Sequence, residues 1–253
     1  MCGILIIMLA TAPSQGPASV PASPKPSRSG AQDEVSKDRD ELVDATAIEP
    51  RWKLDVRYAT SDNFTGQVLY PVARCVLRRE VAEMLKKAQS YLDREHPGYV
   101  FRLKDCYRPR SVQVRMWKVV KGTPSQGYVA NPYGTTGSVH NYGAAVDLTL
   151  NGPEGEEVDM GTPYDSFQRL AQPRYEDEYL RAGKLSKQQV AHRRILRSAM
   201  RHAGFRPIRN EWWHFDAFQG RALRARYSIM DIPLDAPQFN ATPRASEEMK
   251  RSE

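Results

Sequence analysis

The stretch that most restricts the fold is "AAVDLTL", Ala144 to Leu150, a strand-like apolar run with an aspartate at its centre. A carboxylate among Ala145, Val146, Leu148 and Leu150 is costly to bury unless something pairs with it. Two readings are open. Asp147 takes the polar face of a half-buried strand, as alternating residues do, or a cation neutralises it inside the protein. His140 lies seven residues upstream, so the second reading already has a potential partner.

The pattern around this run is mixed. "WKLDVRYA" (Trp52 to Ala59) and "YVFRLKDCY" (Tyr99 to Tyr107) alternate like strands, and "EWWHFDAF" (Glu211 to Phe218) is aromatic and strand-like. The segment Arg78 to Glu95 places Val81, Met84, Leu85, Ala88 and Leu92 on one helical stripe. Pro109 opens a shorter helix, and Ser186 with Gln189 forms a capping box for a third that ends near Gly204. Within that third helix "HRRILRSAMRH" (His192 to His202) reads as a wet face. Helices and strands do not follow a regular βα repeat. The expectation is therefore an α+β single domain, with a central antiparallel sheet flanked by helices and any metal site on that sheet.

The chain ends are expected to lie outside this domain. "CGILIIMLA" (Cys2 to Ala10) is too short to span a bilayer, and Ala10-Thr11-Ala12 fits a signal-peptidase site although no basic residue precedes it. Residues 1–12 read either as a signal segment truncated at its start or as a chance apolar end, with the signal favoured; 13–44 read as a Pro/Ser-rich tether, 45–235 as the folded domain and 236–253 as a polar tail. The expected location is the periplasm or another exported site, with the cytoplasm as the alternative. Cleavage after Ala12 leaves Cys75 and Cys106, a pair that an oxidising compartment would join and a reducing one would leave as two buried thiols. Lys and Arg number 37 against 30 Asp and Glu, a net charge of +7. No basic run is interleaved with aromatics, so neither nucleic-acid binding nor stable membrane insertion of the mature chain is expected.

His140, Asp147 and His214 supply two imidazoles and a carboxylate, the three protein ligands that a catalytic zinc needs beside an open position. Glu211 is then a spare carboxylate suited to take a proton from water at the metal. Each residue alone has a plainer role. A histidine among aromatics is commonly a hydrogen-bonded core residue, and an isolated Glu-x-x-His occurs by chance. On an ideal strand, moreover, residues three apart face opposite ways, so Glu211 and His214 share a site only if the chain bends there.

Two motifs carry a resemblance. "SVHNYGAAVDLTL" fits S-x-H-x-x-G-x-A-x-D and "EWWH" fits E-x-W-H. With "RYATSDNFTG", "CYRPRSV", "GYVANP" and "MGTPYD" in the same order, the chain from Asp55 to Phe215 resembles the zinc D-alanyl-D-alanine dipeptidases of the vancomycin-resistance type, relatives of D,D-carboxypeptidases. The resemblance implies one zinc per chain, held by His140, Asp147 and His214, with Glu211 as catalytic base and Arg108 stabilising the charge on the scissile carbonyl oxygen. It further implies that Asp165 receives the ammonium of a small D,D-dipeptide, with Tyr58 at the same end of the pocket and Ser138 within reach of the substrate. The alternatives are a D,D-carboxypeptidase trimming peptidoglycan stems and a zinc-containing cell-wall binding module without turnover.

Overall fold

The computed structural model describes residues 41–239. The expected signal segment, most of the expected tether and most of the polar tail lie outside the described residues. The elements in chain order are β1 (Leu42–Asp44), α1 (Ala45–Ile48), β2 (Lys53–Leu54), β3 (Val76–Arg78), α2 (Arg79–Glu95), β4 (Val100–Asp105), α3 (Arg110–Val120), β5 (Ala145–Asn151), α4 (Glu176–Arg181), α5 (Lys187–His202), β6 (Arg206–Pro207), β7 (His214–Asp216) and α6 (Gly220–Arg226). β1 and β3 pair antiparallel as a small separate sheet, and β1 begins ahead of the expected domain start at 45. The central sheet has five strands in the order β2-β4-β5-β7-β6.

That sheet is mixed, which corrects the antiparallel expectation at one edge. β4, β5, β7 and β6 pair antiparallel, but β2 runs parallel to β4. The reason is the connection: α2 lies between β2 and β4 in the chain, and a helical crossover returns the next strand in the same direction. The strand expected over Trp52–Ala59 is also shorter. After β2 the Asp55 N–H still donates to the Leu103 carbonyl (2.9 Å), and the chain then turns through a 3-10 segment, Arg57–Ala59. This turn puts Tyr58 inside, at 1% exposure, where the Leu69 and Tyr70 N–H groups both donate to its carbonyl.

All seven residues of β5 are buried, so both faces of this strand are covered and Asp147 has no wet side to occupy. One hydrophobic cluster gathers Leu148, Leu150, Phe215 and Trp213 with the inner faces of α2 and α5. A second gathers Tyr58, Tyr70, Tyr107, Met116 and Trp117 around α3. Residues from both clusters meet at the site described below.

α5 starts at the predicted capping box: Ser186 accepts the Gln189 N–H (3.1 Å) and Gln189 accepts the Ser186 N–H (2.8 Å). Its expected wet face is wrong in two places. His192 and Arg193 are buried, and Arg193 donates to the carbonyls of Met160 (2.7 Å) and Leu170 (3.1 Å) while lying 3.6 Å from Glu176. A guanidinium with that many acceptors to reach can be buried, because its planar fork satisfies several carbonyls at once. Arg193 thereby fastens both ends of the loop that carries Tyr164 and Asp165. Among the described residues no helix is long and apolar enough to cross a membrane.

Candidate metal centre

Asp147 sits in the middle of β5, opposite His214 at the start of β7. His140 arrives from a short 3-10 turn, Val139–Tyr142, just before β5. Ser138 caps this turn by accepting the His140 N–H (3.3 Å), and Asn141 accepts the Ser138 N–H in return (2.9 Å). Gly143 closes it at φ +70°, where an added Cβ would lie 3.0 Å from a Leu42 methyl and 3.4 Å from the Arg78 backbone nitrogen. Only glycine combines that dihedral with so close an approach. The glycine three positions after His140 in the first motif thus has a steric reason, and it delivers the chain straight into β5.

The three side chains converge. His140 Nε2 lies 3.2 Å from Asp147 Oδ1 and 3.1 Å from His214 Nδ1, which is itself 2.9 Å from Asp147 Oδ1. Donors bound tetrahedrally to zinc at ordinary bond lengths are about 3.3 Å apart, so this triangle has the size of one face of such a site. The outer ring atoms decide which nitrogens face inward. His140 Nδ1 lies 2.6 Å from the Cys106 carbonyl, which can only accept, so that nitrogen carries the hydrogen and Nε2 keeps its lone pair. His214 Nε2 likewise donates to Asp216 Oδ1 (2.8 Å), leaving Nδ1 its lone pair, and Asp216 is held in turn by Gln219 (2.7 Å). Three lone-pair donors crowded together without hydrogens between them fit a cation.

Electrostatics agree. Burial pushes the Asp147 carboxyl up, but the charges and hydrogen bonds of His140 and His214 outweigh this and hold it well below the usual range. Burial pushes His214 down, yet Asp216 and Asp147 on its two sides raise it well above the ordinary value. With no cation present a proton is drawn to this spot; a metal would replace it.

Glu211 lies in the bend that precedes β7, not on the strand. The strand expected over the whole of "EWWHFDAF" is confined to His214–Asp216, and this bend is what lets Glu211 and His214 line one cavity. Burial first, then the charge of Asp147, lifts Glu211 to about 7, against the opposing pull of His214, His140 and Arg108. Arg108 follows β4. Its Nε and Nη2 donate to Asp105 Oδ2 (3.0 and 2.6 Å) and its Nη1 to Gln113 (2.8 Å), so a buried, permanently charged guanidinium is fixed at the cavity wall. Asp165 adopts φ +60°, a left-handed conformation that a non-glycine residue holds only where its surroundings impose it. Its Oδ2 accepts the Tyr58 hydroxyl (2.6 Å), and burial, reinforced by Asp147, raises its carboxyl well above the usual range.

All eight residues singled out in the sequence line the same cavity of about 210 Å³. Four supporting residues escaped sequence reading. Asp105 anchors Arg108 and also accepts the Tyr70 hydroxyl (2.7 Å). Gln113 is the second anchor, and Tyr164 donates to Asp147 Oδ2 (3.0 Å). Asp216 orients His214. Only Asp216 had a usable signal: residues two apart on a strand share a face. Cys75 and Cys106 are joined as a disulfide.

Comparison with known proteins shows the family. A sequence model of the D-Ala-D-Ala dipeptidase family of peptidases matches residues 38–232. The chain is 32% identical to the D-alanyl-D-alanine dipeptidase of Escherichia coli K12 over 203 residues, 80% of this chain and 93% of that protein. It is 36% identical to the enzyme of the same name from Enterococcus faecium over 186 residues, covering 65% and 84% of the two chains. A third such dipeptidase, from Enterococcus faecalis, is 31% identical over 206 residues, covering 75% and 91%. With the family model spanning nearly all of the described domain, the chain belongs to the D-Ala-D-Ala dipeptidase family of peptidases.

Proposed function

We propose that this chain hydrolyses D-Ala-D-Ala to two D-alanines, using one zinc ion held by His140, Asp147 and His214. The observation that carries the reading is the triangle of inward-facing donors, 2.9–3.2 Å on a side, sharing one cavity with the spare carboxyl of Glu211 and a fixed guanidinium. Zinc in such a site supplies a water acidified to a pKa of about 7 and polarises a carbonyl.

The chain's own groups do the rest. Glu211 accepts the proton that water loses on attacking the scissile carbonyl carbon, and later delivers it to the leaving amine. Arg108 faces the negative charge that grows on the carbonyl oxygen; Asp105 and Gln113 hold it there beforehand, so little reorganisation opposes the step. Asp165, with Tyr58 donating to it, receives the substrate's free ammonium. An entering cation reverses the effect of burial and keeps Asp165 ionised. Ser138 already accepts the His140 N–H, and its hydroxyl proton is left for a substrate oxygen.

Size supports a dipeptide over a longer stem. A cavity of about 210 Å³ falls below the roughly 300–1,000 Å³ of sites that take drug-sized ligands. Location is part of the proposal: a paired Cys75 and Cys106 favour an exported protein, since such bonds persist in oxidising compartments. The deciding measurement is D-alanine release by zinc-loaded protein from D-Ala-D-Ala and from a stem pentapeptide ending in D-Ala-D-Ala. The dipeptide should be cleaved with much the higher kcat/KM. Preference for the pentapeptide would replace this reading with a D,D-carboxypeptidase, and bound zinc without turnover of either would leave a binding module.

A further inference from the structure

The disulfide has a neighbour that its structural role does not require. Cys106 directly follows β4, past a register shift between Leu103 and Asp105 in the pairing with β5. Beyond Asp105 the ladder has ended, so the peptide linking Cys106 to Tyr107 depends on local restraints. Three are present. The Cys106 N–H donates to Asp105 Oδ1 (2.9 Å), the Tyr107 N–H donates to the Val76 carbonyl (2.8 Å), and the Cys106 sulfur is bonded to Cys75 beside β3, with the two Cα atoms 5.1 Å apart.

The carbonyl of that same peptide is the acceptor for His140 Nδ1 at 2.6 Å. Two further bonds join the segments: the Arg108 N–H donates to the His140 carbonyl (3.1 Å), and the Asn141 side chain donates to the Arg108 carbonyl (2.9 Å). Cys106–Arg108 and Ser138–Asn141 are therefore one hydrogen-bonded unit, and the disulfide is its covalent fastening to the β1–β3 side of the molecule. Both cysteines are buried, at 0% and 2% exposure.

We infer that the Cys75–Cys106 disulfide is a positioning element of the metal centre. It holds the Cys106 carbonyl where it keeps the hydrogen on His140 Nδ1 and aims Nε2 at Asp147 and His214. The physical argument is that a ligand's outer-shell acceptor sets both its tautomer and its ring orientation. An acceptor on a peptide freed from the ladder is only as fixed as its local restraints, and of these the disulfide is the covalent one. Without it the hydrogen bonds remain as restraints, the carbonyl has more room to shift, and the inward lone pair of His140 is less firmly pre-aimed. The inference rests on the metal site proposed above.

The test is the zinc dissociation constant, read by competition with a chromophoric chelator. It is measured for the oxidised wild type, Cys75→Ala/Cys106→Ala, and wild type reduced with a phosphine and then freed of reductant without oxygen. Leu85→Ala, in the core under α2, serves as a variant destabilised away from the site. Loss of the tether should weaken zinc binding by about 10–100-fold, the usual effect of losing an outer-shell partner. Leu85→Ala should stay within about twofold, and reoxidation of the reduced wild type should restore affinity. The cobalt-loaded double variant should also show altered visible bands, a sign of changed ligand geometry that general destabilisation does not produce. Should the double variant fail to fold, the reduced wild type decides alone. If the oxidised wild type binds zinc and the reduced protein or double variant binds it equally well, the positioning role is refuted while the metal site stands. If the oxidised wild type binds no zinc, the metal site falls and this inference with it.

Discussion

Replacing Glu211 by glutamine should make the protein both less active and, without metal, more stable. Glu211 is half-buried and its carboxyl is lifted from 4.5 to about 7, chiefly by burial. A group whose folded-state pKa is raised contributes its stability in full below the unfolded value and loses it as pH rises through the folded one. In metal-free protein that loss runs from about pH 4.5 to beyond pH 7. At about 1.36 kcal/mol per unit, the gap of about 2.5 corresponds to at most about 3.4 kcal/mol. Solvent screening of a half-buried group reduces this to about 1–2 kcal/mol. Glutamine has the same shape and no charge to desolvate, so Glu211→Gln escapes the loss. Denaturant unfolding of metal-free wild type and variant at pH 5 and pH 8 measures it. The variant's advantage should be small at pH 5 and reach about 1–2 kcal/mol at pH 8, a rise in Tm of about 2–8 °C for a domain of this size. Adding zinc should shrink the advantage, since a cation beside Glu211 favours its ionised form. Turnover by the zinc-loaded variant should fall by about 10²–10⁴ while the metal stays bound. Equal stability of the two metal-free proteins at both pH values would refute the claim that Glu211 is held at a desolvation cost. Turnover within tenfold of wild type would refute its role as base.

Two further predictions concern the ligands and the ammonium pocket. His214→Ala should lose stoichiometric zinc by metal analysis, and His140→Ala likewise. Retention of about one equivalent by both would overturn the ligand assignment. Asp165→Asn should weaken capture of the free dipeptide by about 1–3 kcal/mol, read as kcat/KM, and should hurt an N-acylated dipeptide much less, because that substrate lacks the charge Asp165 receives. An unchanged preference between the two substrates would remove Asp165 from recognition.

Much of the candidate site is legible in the sequence. Asp147 was visible because a carboxylate inside an apolar strand is out of place, and burial of all seven β5 residues excludes the ordinary explanation of a polar face. His140 and His214 followed because a buried anion calls for partners, and Glu211 because a carboxylate is left over. The helices α2, α3 and α5 were legible for a different reason: their stripes and caps are local, and residues three and four apart report one face whatever surrounds them.

Tertiary structure decided what depends on residues far apart in the chain. β2 runs parallel to β4 because a helix intervenes, and Tyr58 is inside because the chain turns away from the sheet after Leu54. Arg193 sits on a stretch whose charges read as solvent-facing, yet its partners are the carbonyls of Met160 and Leu170, some thirty and twenty residues away in sequence. Asp105, Gln113 and Tyr164 are ordinary residues until the fold sets them against Arg108 and Asp147. The sequence by itself pointed to the candidate groups: Asp147, His140, His214 and Glu211 because unpaired charge among apolar neighbours is a local anomaly, and Arg108, Asp165, Tyr58 and Ser138 only through the family resemblance. Only the tertiary structure decided which nitrogen of each histidine faces inward and what holds Arg108 and Asp165 in place. Those features are set by hydrogen bonds to atoms brought near by folding, and such bonds leave no periodic mark on the chain.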